Sequence, residues 1–213
     1  MHKKCFKERI TGLIMPSAFA ITLIICYSIY APSLIFHPMY YLSLSILIVW
    51  AIVEVLVMQG DSKVKYNFVD WVFKVGGLTG LIFGVIYRDL NHTFIIYLGF
   101  FILISGIILR YWAMKTLGIY FSYTLKTESH GQRVLDYGVY RYIRHPSYLG
   151  IFLIIISFPI IHASLVGFLI VIFFTCPWII RRITQEEKMM IDAFDELYEA
   201  YKRKTKKLIP FIF

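Results

Sequence analysis

Residues able to do chemistry gather first in the segment Gly138–Gly150, which contains the run Arg144-His145-Pro146-Ser147-Tyr148. Pro146 disfavours helical geometry at His145 and suits the first position of a helix. Arginines, an imidazole and tyrosines would therefore surround a helix N-terminus, whose free N–H groups and partial positive charge suit a carboxylate. From the residue types alone, an aromatic belt with snorkelling arginines fits equally well.

The second segment is Arg181-Arg182-Ile183-Thr184-Gln185-Glu186-Glu187. It opens a stripe at intervals of three and four that predicts an amphipathic helix, formed by Ile183, Glu187, Met190, Phe194, Leu197 or Tyr198, and Tyr201. Such a helix could simply rest on lipid headgroups, and Arg182 and Glu186 could form a surface pair. Glu187 fits that interpretation poorly, because a carboxylate on the apolar face needs a cation or a hydrogen-bonding ligand.

Composition places both segments in a membrane protein. Of 213 residues, 59% are hydrophobic and 16% charged, and the apolar residues form long blocks. The net charge of +9 lies between and beyond these blocks, which indicates orientation and headgroup contact and argues against nucleic-acid binding. The three cysteines lack CxxC spacing, so we expect neither a disulfide framework nor a metal site.

The apolar blocks predict an all-α bundle of about six transmembrane helices. Runs near 12–30, 40–58, 71–87 and 94–112 each approach the length of a span. The run Tyr148–Ile180 is interrupted by Pro159 and by His162-Ala163-Ser164, which predicts a helical hairpin. One long kinked helix is the alternative, and it would place the C-terminus on the opposite side of the membrane.

Lys and Arg are concentrated in alternate connections, which favours six spans with both termini cytosolic. We therefore divide the chain into a four-span region, 1–114, and a cofactor-binding and catalytic region, 115–213. The second region would comprise a cytosolic connection, the hairpin and a cytosolic amphipathic helix. In the third span, Gly76, Gly77, Gly80 and Gly84 favour close helix packing, within the fold rather than between copies of the chain.

Residues 120–213 resemble the isoprenylcysteine carboxyl methyltransferases. The resemblance rests on Gly138–Gly150, on Glu186-Glu187, on Phe194, Tyr198 and Tyr201-Lys202-Arg203, and on the ending Leu208-Ile209-Pro210-Phe211. It implies a membrane-embedded methyltransferase that uses S-adenosylmethionine in a cytosolic pocket, while a lipophilic substrate enters from the bilayer. The membrane would be the endoplasmic reticulum in a eukaryote and the cytoplasmic membrane in a prokaryote.

The resemblance also assigns roles to residues. Arg182, Glu187 and Arg144 would be catalytic, with Arg182 and Glu187 paired beside the acceptor carboxylate; Arg181 and Glu186 leave a one-residue ambiguity. The residues expected at the cofactor are Lys126, Gln132, Val139, Tyr140, His145, Pro146, Tyr148, Leu149, Gly150 and Glu186. No metal is expected.

The methyl acceptor stays open at this point. A carboxylate, on a prenylated cysteine or a similar lipophilic acid, is already ionised near neutral pH and needs no general base. A lipid amine, thiol or hydroxyl would need deprotonation by His145 or a glutamate. More distant alternatives are a sterol-reductase-like enzyme using a nicotinamide cofactor and a non-catalytic transporter or scaffold. The last is disfavoured because Glu54 and Arg110 are nearly the only ionisable residues inside the predicted spans.

Overall fold

The computed structural model describes residues 17–34, 38–57, 68–89, 91–118 and 134–208. Over these residues the chain is helical, and its one β-bridge joins Ile143 to Lys206. The α-helices are α1 (Ser17–Tyr30), α2 (Pro38–Val57), α3 (Phe68–Ile86), α4 (Thr93–Leu117), α5 (Pro146–Ile161), α6 (Leu165–Phe194) and α7 (Glu196–Lys204). Short 3-10 turns form at Pro32–Leu34 and Gly138–Arg141.

Two helices, α4 and α6, are long and apolar enough to cross a membrane. At about 1.5 Å per residue, the 25 residues of α4 reach about 38 Å, beyond the roughly 30 Å hydrocarbon core. Large apolar side chains point outward along these helices, among them Phe94, Phe101 and Phe173. Such exposed apolar surface is what contact with lipid requires. Shorter apolar helices include α1 and α5.

The predicted helical hairpin is confirmed. Helix α5 ends at Ile161, and α6 begins at Leu165. The turn has Ala163 at φ 48°, and the Ser164 hydroxyl caps α6 by accepting a hydrogen bond from the Gly167 N–H at 3.2 Å. Pro159 lies inside α5, so the break comes from the turn and not from the proline.

Helix α6 continues without interruption through Arg181 to Phe194, so the expected pair of short helices is wrong for the second member. No glycine or proline stands between Trp178 and Phe194 to stop it. Its 30 residues reach about 45 Å, so about 15 Å extends beyond the hydrocarbon core. The amphipathic stripe begins on this extension and crosses into α7, where Tyr198 is buried and Leu197 is 61% exposed.

Glycines allow two helix pairs to approach closely. A Cβ at Gly80 of α3 would overlap Val171 Cγ2 of α6, and one at Gly76 would lie 2.5 Å from Phe174 Cβ. Between α4 and α5, a Cβ at Gly99 would lie 2.6 Å from the backbone nitrogen of Ile161. The glycines of the third predicted span therefore pack within the fold. Helix α5 packs mainly against α4, and it also contacts α3 and α6.

Candidate functional site

The N-terminus of α5 has the geometry that its sequence predicts. His145 is the N-cap residue, with φ −124° and ψ 53°, and Pro146 begins the helix. The preceding 3-10 turn starts at Gly138, whose φ of 60° favours glycine. This arrangement buries His145 and turns its ring toward α6.

Glu187 is the centre of a charged cluster. Its Oε1 accepts a hydrogen bond from Arg144 Nε at 2.8 Å and lies 3.3 Å from His145 Nε2. Lys207 Nζ lies 3.6 Å from Oε2. The side chains of Arg144 and Glu187 are only 8% and 9% exposed, so the pair is largely shielded from water. The cation that Glu187 was expected to need is therefore present.

This cluster sets the ionisation of Glu187. Burial by itself would raise the pKa of the carboxyl group. Hydrogen bonds from His145 and Arg144, and the charges of the same two groups, outweigh burial and lower the pKa from 4.5 to about 2. Glu187 is therefore a carboxylate across the physiological range, and it is a poor proton acceptor there.

The arginine that forms an ion pair with Glu187 is Arg144. Arg182, on the same helix as Glu187, donates from Nε to the Tyr148 hydroxyl at 3.3 Å. Residues five apart on a helix point about 140° away from each other around the axis, so the two side chains face different parts of the site. Glu187 faces the loop before α5, and Arg182 faces the first turn of α5.

Glu186 and Glu187 have different surroundings, although they are adjacent. Glu187 is bonded to Arg144 and His145, whereas the Glu186 side chain is 33% exposed, with Oε2 4.0 Å from His145 Nδ1. Burial raises the pKa of the Tyr140 phenol, and the nearby Glu186 carboxylate raises it further. Of the two, Glu186 has the carboxylate that is more accessible to a ligand.

Tyr140 and Val139 are buried, and Val139 packs with Ala113 of α4. The carbonyl of Tyr140 accepts a hydrogen bond from the Tyr201 hydroxyl at 2.7 Å. Pro146 and Gly150 are buried, and Tyr148 and Leu149 are partly buried, in the first turns of α5. Most of the expected cofactor residues thus lie in one neighbourhood. Lys126 and Gln132 lie outside the described residues.

Sequence reasoning gave no site role to Arg110, which is buried in α4. Its Nη1 donates to the Ser147 carbonyl at 3.3 Å and also to the Ser147 hydroxyl oxygen. A Cβ at Gly150 would lie 2.8 Å from the Arg110 backbone nitrogen, so the two helices touch there. The sequence signal that could have identified Arg110 is that it is a lone arginine inside an apolar helix.

Sequence reasoning also gave no site role to the C-terminal residues Lys206 and Lys207. The Arg144 N–H donates to the Lys206 carbonyl at 2.8 Å, and the His145 N–H to the Lys207 carbonyl at 3.0 Å. These two N–H groups are therefore already bonded and are not available to a ligand. No short-range sequence signal links residues so far apart in the chain.

Residues 97–192 match a sequence model of the isoprenylcysteine carboxyl methyltransferase (ICMT) family, so the resemblance stated from the motifs is confirmed. The chain is 39% identical over 116 residues to protein-S-isoprenylcysteine O-methyltransferase of Saccharomyces cerevisiae, covering 54% of this chain and 48% of that protein. It is 40% identical over 73 residues to methanethiol S-methyltransferase of Crocosphaera subtropica, covering 34% and 28%. The chain thus spans about half the length, or less, of these curated relatives.

A solved structure has a similar fold. It is that of the eukaryotic intramembrane Ras methyltransferase ICMT, with a TM-score of 0.50 and 18% sequence identity. The superposition covers 98% of each chain. At this identity the likeness concerns the fold, and it extends over the first helices, in which the sequence has no motif of the family.

Proposed function

We propose that this protein is an integral membrane methyltransferase that transfers a methyl group from S-adenosylmethionine to the carboxylate of a prenylated cysteine or a similar lipophilic acid. The observation that carries the proposal is the buried cluster of Arg144, His145 and Glu187. It joins the two motifs of the family resemblance at the end of α6. The names of the curated relatives support the same reaction class.

The residues beside the cluster fit S-adenosylmethionine, which combines a sulfonium cation, an amino acid group and an adenine ring. Glu186 offers a half-buried carboxylate to a cationic group. The ring centroids of Tyr148 and His145 lie 5.8 Å apart, and the Tyr148 ring offers an aromatic face of the kind that attracts cations. When bound, this cofactor supplies an electrophilic methyl group. The protein contributes alignment of the acceptor and exclusion of water.

Arg144 is the residue best placed to position an anionic acceptor. Glu187 holds its Nε, and the described residues supply acceptors for Nε and Nη1 but none for Nη2. An acceptor carboxylate could therefore bond to Nη2. Because Glu187 already balances the charge of Arg144, the acceptor would be oriented without being bound so tightly that its nucleophilicity is lost. Arg182, which contacts Tyr148, would flank the same space.

A small thiol is the second candidate acceptor, favoured by the similarity to methanethiol S-methyltransferase. A thiol must lose its proton before it attacks, since its usual pKa is about 8.5. Glu187, with a pKa of about 2, is unsuited to that task. His145 would have to accept the proton, and Glu187 would then stabilise the resulting imidazolium.

The proposed topology has six spans with both termini cytosolic, which places Arg144 and Glu187 at the cytosolic face. It rests on the alternation of Lys and Arg in the connections and on the fold likeness to an intramembrane enzyme. Within it, residues 1–114 would form the four-span support and residues 115–213 the reacting region. The membrane would be the endoplasmic reticulum or the cytoplasmic membrane, according to the source cell.

The test is methyl transfer from labelled S-adenosylmethionine by the purified protein in nanodiscs. The acceptors are a farnesylated cysteine, a lipid amine and a hydrophobic thiol, and Arg144→Gln is assayed beside the wild type. We expect product on the farnesylated cysteine and its loss in the variant. Product on the thiol alone would show that the acceptor is a thiol and not a carboxylate. No transfer together with no calorimetric binding of the cofactor would overturn the methyltransferase proposal.

A further inference from the structure

The segment Tyr201–Lys207, here called the C-terminal strap, lies across the loop before α5. The Arg144 and His145 N–H groups donate to carbonyls of the strap, and the Lys206 N–H donates to the Tyr142 carbonyl at 3.2 Å. This is a short parallel ladder between residues far apart in the chain. The strap therefore fixes the backbone of the two residues whose side chains contact Glu187.

The strap also contacts the Arg144 side chain. Nη1 donates to the carbonyl of Lys202 at 3.2 Å and to the carbonyl of Thr205, and it lies 3.4 Å from Thr205 Oγ1. The last carbonyls of a helix lack intrahelical partners and carry partial negative charge, which suits a guanidinium. The end of α7 and the strap thus serve as the second support of Arg144.

Buried side chains hold the strap itself. Thr205 is buried, and its hydroxyl donates to the Tyr201 carbonyl at 2.7 Å. The Tyr201 hydroxyl in turn donates to the Tyr140 carbonyl. Lys207 reaches Glu187 Oε2. The first of these contacts lies within the strap, and the other two join the strap to the loop before α5 and to α6.

We propose that the C-terminal strap is a positioning element for methyl transfer, in which Thr205 and the neighbouring carbonyls fix the plane of the Arg144 guanidinium. Glu187 alone fixes one N–H direction of the planar fork, and the strap fixes the Nη1 directions. Two supports define an orientation that one support leaves free to rotate. The strap residues act through Arg144 and are not assigned contact with substrate. The inference rests on the proposed function.

The main variant is Lys206→Pro, which removes the one N–H that the strap donates to the loop. Thr205 has φ −127° and ψ 158°, an extended conformation that a following proline accepts. Lys206→Ala is the matched control, because it keeps the N–H and removes only an exposed side chain. Both are compared with the wild type in nanodiscs by methyl-transfer kinetics, cofactor calorimetry and hydrogen–deuterium exchange of the peptide containing Arg144 and His145.

We expect Lys206→Pro to speed exchange in that peptide and to lower kcat about tenfold, since small misplacements of a positioned group are costly, with cofactor Kd within about twofold of wild type. Lys206→Ala should change none of these. Faster exchange with unchanged kcat would overturn the inference.

If Lys206→Pro does not fold, the variants Thr205→Val and Thr205→Ser test whether the strap positions Arg144. We expect the valine variant to lower kcat several-fold, because it removes the hydroxyl that contacts Arg144 and caps Tyr201, and we expect the serine variant to restore it. Equal kcat in both variants and in the wild type would overturn the inference. A wild type inactive on every acceptor would overturn the proposed function and the strap's role with it, whereas an active wild type with fully active strap variants would overturn the strap alone.

Discussion

Helix α5 has a buried histidine at each end, and among the described residues only one of them directly contacts a charged side chain. His145, 4% exposed, lies beside Glu187, which also binds Arg144. His162, fully buried, has its Nε2 2.9 Å from the Tyr27 hydroxyl and its Nδ1 2.7 Å from the Phe158 carbonyl. Both rings are therefore held in place, but their partners differ in charge.

The difference shows what distinguishes a structural histidine from one in a reactive site. At the His162 end, neutral groups bond to both ring nitrogens, and the bond to Tyr27 joins α1 to the hairpin turn. At the His145 end, the buried Arg144 guanidinium and the Glu187 carboxylate balance one another beside the half-buried Glu186. Burial alone does not mark a site; burial together with compensated charge next to an accessible group does.

Replacing Glu187 with glutamine should have the largest effect. It leaves Arg144 in a buried position without its counter-charge, and breaking such a pair costs about 3–5 kcal/mol. We expect methyl transfer to fall at least about 100-fold and the melting temperature to fall as well. Glu199→Gln is the control, since it breaks only the exposed pair with Lys202 and should change kcat/KM less than about twofold. Comparable methyl-transfer rates for Glu187→Gln and Glu199→Gln would show that the charged cluster at the His145 end is not a reactive site.

Low pH should destabilise the protein through Glu187, at the N-terminal end of α5. Because the folded pKa of Glu187, about 2, is below the ordinary value of 4.5, its contribution to stability is fully present above pH 4.5 and is lost as the pH falls toward 2. The shift corresponds to about 3 kcal/mol. Thermal unfolding in detergent between pH 6 and pH 3 should show this loss in the wild type. The loss should be the same in Tyr27→Phe, which changes the His162 end, and smaller in Glu187→Gln. Parallel curves for all three proteins would contradict it.

Replacing one glycine with alanine near each end of α5 should separate effects on helix packing from effects on catalysis. A Cβ at Gly99 meets the Ile161 backbone near His162, and one at Gly150 meets the Arg110 backbone near the site. Both variants should lose about 1–3 kcal/mol of stability, and only Gly150→Ala should also lower kcat. Gly84→Ala, whose nearest contact would be 3.5 Å, should be tolerated in melting and activity assays. A fall in kcat for Gly99→Ala equal to that for Gly150→Ala would argue against the separation.

The smallest effect is expected for Tyr27→Phe. It removes the hydroxyl bonded to His162 and should cost about 1 kcal/mol, with kcat unchanged. Denaturation in detergent and methyl-transfer rates measure the two quantities on one preparation. A several-fold fall in kcat would mean that the His162 end also contributes to the reaction.

Local sequence rules determined several parts of the fold and site. Pro146 predicted where α5 begins, His162-Ala163-Ser164 predicted the hairpin turn, and the polarity of Glu187 within an apolar stripe predicted that it needs a partner. Each inference depends on neighbours within about one helical turn, where proline geometry and side-chain period act. The six-span topology and the division at residue 114 stay predictions.

Tertiary structure decided which groups meet. Glu187 pairs with Arg144, which lies 43 residues away in the loop before α5. Arg144 is held in turn by Thr205, 61 residues away, and Arg110 bonds to Ser147, 37 residues away. Spacing along the chain cannot reveal these partners, because they depend on how glycine-lined helices pack and on where α6 ends. The sequence specified which residues need partners, and the packed helices selected the partners.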